Sequence, residues 1–528
     1  MNRIIRTTLV AATALLVGVS CTDPTVAPKS TINSETVFTE ASAYKSLLAK
    51  VYAGLALTGQ QGCCGAPDLG GGFDEGFSQY WRLYMQMQTL PTDDAMIAWG
   101  GDQALSELNT GMWSSSNGFL NAMYYRIFFQ VAMANVFLRE TTNAKLDSRG
   151  VSPALKAEIQ GYRAEARFLR ALSYYHGVDL FGPLPLVDEN TSVAEPPAQA
   201  TRAEVYDYVV AELIAVRNEL PAMGAAEYGR VDQGAVAMLL AKSYLNAGIY
   251  TGTTKYTEAM AEVTAIIGSG AYSIDANYRR IFSADNNTSP ELIFAIPQDG
   301  IRMKNYGGTT FLVHANVGGP MNGGDYGING GWWGLRMRPE TRALFPAIGA
   351  GAADRRAEFW VDLNTPTISN MFDYQQGTGS PKFTNKTSGG ANGQDLEFTD
   401  TDVPVWRLAD VYLMYAELNL RAGGGTIAQA TTYINALRGR AYGDNSGDVL
   451  QADVDLALVL DERARELYME GHRRQDLVRY GLFTGGAKLW SWKGNDAAGV
   501  TTDAFRSLYP LPASELIANP KLTQNTGY

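Results

Sequence analysis

The chain is short of the residues that most enzyme and metal sites need. Among 528 residues there are three cysteines (Cys21, Cys63, Cys64) and three histidines (His176, His314, His472). No cysteine pair has CxxC spacing, which argues against structural zinc. Cys63 and Cys64 are adjacent; because a vicinal disulfide is strained, they read as two thiols in the glycine-rich loop GQQGCCGAPDLGGG. There is no HExxH, Walker A or GxGxxG pattern, and three scattered histidines argue against a Ser-His-Asp triad. Positive charge is also scarce. Forty-three Lys and Arg face 54 Asp and Glu, a formal net charge of −11. Such a surface repels nucleic-acid phosphates and anionic lipid heads. No apolar run is long enough to span a bilayer.

The N-terminus, MNRIIRTTLVAATALLVGVSC, has basic residues Arg3 and Arg6, an apolar run over 8–17, small residues and then Cys21. This is the layout of a signal peptide, and its Gly-Val-Ser-Cys ending resembles a relaxed bacterial lipobox. The expected product loses residues 1–20 and carries lipid on Cys21. Residues 21–34 then act as a polar, proline-containing tether.

Further on, the apolar periodicity is mainly helical. Leu155, Ile159, Tyr162, Ala166, Leu169 and Tyr174 form one stripe, and Ala157, Ala164 and Ala171 form a seam of small residues every seven. Arg163, Arg167 and Arg170 lie off that seam, and Arg167 and Arg170, one turn apart, are placed to reach carboxylates on neighbouring helices. Gly177 reads as a helix stop, and Gly182, Pro183 and Pro185 forbid resumption. Similar helices are predicted near 41–57, 119–140, 202–219, 230–248, 255–268, 405–422, 427–441 and 452–470, mostly in pairs. Ala409 and Ala416 repeat the small seam, with Asp410 and Glu417 sharing one face. Paired helices of this kind suggest degenerate tetratricopeptide-like stacking. The fold class expected is mainly α, with minor short strands such as ELIFAIP at 291–297.

Five segments carry a family resemblance. RAEARFLRALSYYHGVDLFGPLPLV (163–187) resembles the central signature of the SusD/RagB family of outer-membrane nutrient-binding lipoproteins. RVDQGAVAMLLAKSYLNAG (230–248), VPVWRLADVYLMYAELNLRAG (403–423) and LDERARELYMEGHRRQDLVRYG (460–481) are similar to later family segments. YPLPASELIANPKLTQNTGY (509–528) is similar to the closing one, with Thr526 where the family usually has Pro. The resemblance implies a SusD-like domain over 35–528. Its helical scaffold lies mainly in 35–57, 119–272 and 403–482, and its loop-rich, ligand-facing regions are 58–118 and 273–402. It further implies a SusC-like TonB-dependent outer-membrane transporter as partner, a surface-exposed lipid anchor as the only membrane contact, and capture of an oligosaccharide or similar nutrient without catalysis. Peptide or other non-glycan cargo is the alternative, and a lipid-anchored glycoside hydrolase a more distant one. Asp93-Asp94 and Asp74-Glu75 are the carboxylates a hydrolase could use.

Sugar rings stack their apolar faces on Trp and Tyr, while their hydroxyls need Asn, Asp, Gln or Arg. Such groups concentrate in two loop stretches, DDAMIAWGGDQ (93–103) and MNGGDYGINGGWWGLRMR (321–338). The expected ligand-binding residues are therefore Trp99, Asp102, Tyr326, Asn329, Trp332, Trp333 and Arg336. Trp406 is expected in the core of a packed helix, and His176 and His472 in the scaffold. No catalytic residue and no cofactor is expected. Calcium could be held by oxygen-rich loops, but no EF-hand spacing supports it.

Overall fold

The computed structural model describes residues 38, 40–59, 67–70, 73–102, 104–192 and 194–528. The signal peptide, the tether, Cys21, Cys63 and Cys64 lie outside them. The chain divides into two units, 1–44 and 45–528. In the first, the described residues include the opening turn of a helix; the second holds the rest of the fold.

The principal helices are α1 (Ala41–Ala56), α2 (Tyr80–Thr89), α3 (Gly118–Glu140), α4 (Pro153–Leu180), α5 (Arg202–Val216), α6 (Gln233–Leu245), α7 (Tyr256–Ser269), α8 (Gly308–Asn316), α9 (Leu408–Leu420), α10 (Ile427–Tyr442), α11 (Leu456–Glu466) and α12 (Arg473–Arg479). Consecutive helices pack as hairpins: α3 on α4, α4 on α5, α6 on α7 and α9 on α10, with α7 meeting α9. The helical periodicity thus yields the stacked hairpins it predicts.

Local chemistry sets the helix limits. α4 starts where Ser152 Oγ accepts the Leu155 N–H and Pro153 fixes the first turn. It runs through Gly177 to Leu180, then ends as the Phe181 and Gly182 N–H groups both donate to Gly177 O, with Gly182 at φ +78°. Gly177 is therefore not the stop. It is glycine because Leu184 folds back onto it and occupies the space of a side chain. Of the alanine seam, Ala164 and Ala171 are fully buried, whereas Ala157, near the start of α4, is exposed. Arg167 and Arg170 both grip Glu212 of α5 (2.6–3.1 Å), and Arg163 donates to Leu138 O and Thr141 at the end of α3.

A lattice of buried ions joins the long 273–402 segment to the C-terminal helices. Arg407 donates to Glu291, Glu466 and Glu470 (2.6–2.7 Å), and Lys382 to Glu470 (2.6 Å). Arg356 bridges Glu462 and Glu466, and Arg440 joins Glu291 to Glu466. Asp410 meets Arg463 (2.7 Å) and Lys242 (3.3 Å), while Glu417 meets Arg479, so the two acids of one α9 face anchor α6, α11 and α12. These carboxylates sit out of water, and despite burial Arg440, Arg407 and Arg356 hold Glu466, and Lys242 with Arg463 holds Asp410, well below the usual carboxylate range.

Six strands position the loop-rich regions: β1 (Ala95–Ile97), β2 (Leu292–Ile296), β3 (Leu335–Met337), β4 (Val361–Asp362), β5 (Thr378–Gly379) and β6 (Val403–Arg407). β2 pairs antiparallel with β6. Trp406 is buried in β6 rather than on a helix, with its ring 5.8 Å from Phe294. The other four form an antiparallel sheet in the order β1-β3-β5-β4. Its strands come from both loop-rich regions.

Candidate ligand-binding site

The pairing of β1 with β3 brings two distant stretches of sequence together. Ile97 lies opposite Leu335, and the ladder continues with Ala98 N–H donating to Gly334 O at 2.9 Å. Because the strands are antiparallel, the exit of β1 and the entry of β3 share one end of the ladder, where Trp99 and Trp332 sit. Trp99 Nε1 donates to Trp332 O (3.1 Å) and the two rings are 6.4 Å apart, inclined at 43°. Gly334 is required here, since a Cβ would come within 2.7 Å of the Trp99 indole.

The end of α8 fixes the second tryptophan. His314 O accepts the Trp332 N–H (2.8 Å), and the Trp332 indole stacks on the His314 ring at 4.6 Å and 20°. His314 is itself held between Gly330 O (2.7 Å) and Glu397 O (2.9 Å), and burial lowers its pKa. Trp332 also meets Tyr306, whose ring lies 5.9 Å away and whose hydroxyl donates to Glu397 at 2.6 Å. Tyr306, Trp332 and Trp99 thus form a row of three part-exposed rings.

A buried cation supports the row from beneath. Arg82 of α2 places its guanidinium 4.3 Å from the Phe311 ring centre and 5.8 Å from that of Trp99, and donates to Tyr306 O (3.2 Å). Burial lowers its pKa to about 10, while Asp102, Asp74 and Glu75 oppose that shift. Arg82 therefore stays charged at neutral pH. Asp102 is exposed beside it, so an open carboxylate stands at the Trp99 end, with Glu397 at the Tyr306 end. Flat apolar faces between hydroxyl-binding groups are what a pyranose chain requires.

The remaining sequence-predicted residues fall in different places. Asn329 is exposed in the loop leading to Trp332, its N–H on Leu396 O (2.9 Å). Trp333 is 46% exposed but packs 5.6 Å from Tyr374 and lies on Gly318, away from the row. Tyr326 is buried. Arg336 is 0% exposed: it lies in β3, donates to Met371 O at 2.6 Å, and is lowered to about 10 by burial and by neighbouring Arg338. Its side chain does not reach the ring surface. Tyr306 and Arg82 belong to the arrangement without any local sequence signal. Tyr306 follows a polar loop without other aromatics, and Arg82 lies in a helix buried on all sides.

The acidic pairs are structural groups. Asp93 is buried and, against the upward push of burial, is held at about 2 by Arg473 (2.6 and 2.7 Å) and Lys488. Asp94, also buried, is pushed up to about 7 by that burial and accepts the Met469 N–H. Asp74 Oδ1 accepts the Phe77 N–H, and Glu75 is bonded by Thr58. His176 bonds Tyr80 Oη (2.8 Å) and His472 bonds Lys242 (3.2 Å), both in the scaffold. Among the described residues, no group of three or more His, Cys, Asp or Glu could hold a metal ion, and no helix is long and apolar enough to cross a membrane.

Comparison with known proteins gives consistent relatives. The SusD family model matches residues 355–528, and a model described as starch-binding associating with outer membrane matches 79–245. The starch-binding protein SusD of Bacteroides thetaiotaomicron is 34% identical over 92% of this chain and 92% of its own. SusD-like protein P25 of Formosa agariphila is 26% identical, covering 73% and 77%. Among solved structures, a SusD homolog from Bacteroides thetaiotaomicron superposes with a TM-score of 0.73 at 19% identity, over 94% of this chain and 98% of that one. Surface glycan-binding protein A from the same organism, in complex with laminarihexaose, gives 0.69 at 21% identity, over 92% and 99%.

Proposed function

The chain belongs to the SusD family, and from that premise we propose that it binds an oligosaccharide on the Tyr306–Trp332–Trp99 row and passes it, uncleaved, to a TonB-dependent transporter in the outer membrane. It is a binding protein and not an enzyme, as its relatives are, and it is associated with the outer membrane. Attachment through lipid on Cys21, with the body facing outward, is the finer part of the proposal, supported by the lipobox-like ending of the first 21 residues.

The observation that carries the reading is the row itself: three part-exposed rings fixed by a strand pairing, a histidine stack and a buried arginine, with carboxylates at both ends. A tilt of 43° between Trp99 and Trp332 and of 63° between Trp332 and Tyr306 makes a curved rather than flat platform. Curvature favours a glycan that bends along its length, and the 34% identical relative is named for binding starch. The test is calorimetric titration of the full chain with maltoheptaose and, separately, laminarihexaose. Saturable binding of maltoheptaose with no new reducing ends after prolonged incubation is expected. Absence of binding to either glycan, or steady release of reducing ends, would overturn the proposal.

A further inference from the structure

A further exposed ring packs one residue along the chain from Trp99. Gly100 follows it, and the Phe372 ring lies against that backbone, 2.8 Å from where a Cβ on Gly100 would stand. Phe372 is 51% exposed. It opens a groove of about 460 Å³ between the short helix Leu105–Thr110 and the loops around 370 and 493. Trp492 also lines it: the indole donates to Ile368 O (2.8 Å) and seats part of its surface on Met96, Ile368 and Met371, leaving the rest open. Met96 belongs to β1, so the strand that presents Trp99 to the row also backs the Trp492 wall of this groove from the core.

The polar complement suits hydroxyl groups. Asn370, Glu107 and Asn495 line the groove. Glu107 Oε2 already accepts from Ser114 N–H and Asn117, and Asn370 Oδ1 from Phe372 N–H, which among the described residues leaves Glu107 Oε1 and the Asn370 amide N–H groups for a ligand. The Asn495 amide is exposed and makes no side-chain hydrogen bond among the described residues. The backbone is also unusual on both walls. Ala104 (φ +56°), at the start of the short helix, Trp492 (φ +69°) and Asn495 (φ +66°) occupy the left-handed region that non-glycine residues seldom adopt.

We propose that this groove is a second carbohydrate subsite, continuous with the Tyr306–Trp332–Trp99 row through Gly100 and Phe372, which takes the far end of an oligosaccharide too long for the row alone. Two aromatic faces with amide and carboxylate groups between them make a sugar the fitting occupant, and the shared strand fixes the subsite's distance from the row. The inference rests on the glycan reading above and adds chain-length selectivity to it.

The test titrates linear α-1,4- and β-1,3-glucan oligosaccharides, three and eight residues long, into the full chain, its Phe372→Ala variant and its Asn495→Gly variant. Phe372 is exposed, and glycine is comfortable at the φ of Asn495, so both variants are expected to fold; trimer affinity serves as the check. The parent should bind an octamer at least about fivefold more tightly than the trimer, and each variant should lose most of that gain while keeping trimer affinity. Equal affinity of the parent for both lengths, unchanged octamer binding by both variants, or equal loss of trimer and octamer would overturn the second subsite alone. Failure of the parent with every glucan would overturn the glycan reading, and this inference with it.

Discussion

Replacing Trp332 by alanine is the sharpest probe of the ring row. A tryptophan side chain buries roughly 150–250 Å² when fully enclosed. One face of this indole is already committed to His314 at 4.6 Å, and its edges meet Tyr306 and Trp99. The opposite face, roughly a third of the total or about 60 Å², is what a sugar can cover; at about 25 cal/mol per Å² that is ~1.5 kcal/mol, slightly more than a tenfold change in Kd. Loss of the ring also frees Trp99 and Tyr306 to tilt, so about tenfold is a lower bound. Trp333→Ala is the matched control. It removes an equally large and more exposed indole that packs toward Tyr374, and should change Kd by less than about threefold. Titration calorimetry with maltoheptaose reads both, with thermal melting to establish that the fold is intact. If Trp332→Ala bound like the parent while Trp333→Ala lost affinity, the row would have been assigned to the wrong face.

Three further outcomes are expected from groups behind the row and in the scaffold. Gly334→Ala places a methyl 2.7 Å from the Trp99 indole and should weaken maltoheptaose binding at least about fivefold by displacing the ring, an effect visible in tryptophan fluorescence; parent-like binding would refute the packing argument. Asp94 is raised to about 7 from an ordinary 3.8, so the folded state keeps its proton while the unfolded chain loses it. Stability is accordingly lost as pH rises from about 4 to 7, by an amount on the order of 4 kcal/mol. Urea denaturation should show Asp94→Asn gaining on the parent across that window, and parallel pH profiles would contradict it. Glu466 accepts from Arg356, Arg407 and Arg440, and Glu466→Gln should destabilise by about 3–5 kcal/mol because buried guanidinium charge is left uncompensated. A loss below about 1 kcal/mol would show that water or rearrangement satisfies those arginines.

The hairpin helices were legible because their apolar stripes have a helical period and their ends carry caps. The predicted 119–140, 202–219 and 427–441 appear as Gly118–Glu140, Arg202–Val216 with a short 3-10 turn, and Ile427–Tyr442. α2 escaped notice for the opposite reason: every residue of YWRLYMQMQT is buried, so no polar face marks the period. Arg336 was misleading because its setting among glycines and tryptophans looks like a surface loop. The residues on either side, Leu335 and Met337, are also buried, since strand β3 is covered on both faces. Trp99 and Trp332 could be named from composition, but their meeting depends on the β1–β3 register, which pairs residues more than 200 positions apart and leaves no local trace. Tyr306 joined them only through that same long-range geometry.

The ion lattice around Arg407 has a consequence for how the molecule comes apart. Glu291, Arg356 and Lys382 come from the segment that carries Tyr306 and Trp332; Arg407, Arg440, Glu462, Glu466 and Glu470 come from the C-terminal hairpins and the strand before them. Peeling either partner away would strand several naked charges at once, so partial opening is penalised far more than its lost surface would imply. Heating should therefore leave the cargo platform at full strength until the entire 45–528 body melts in one step, and cargo affinity and helical signal should vanish at the same temperature.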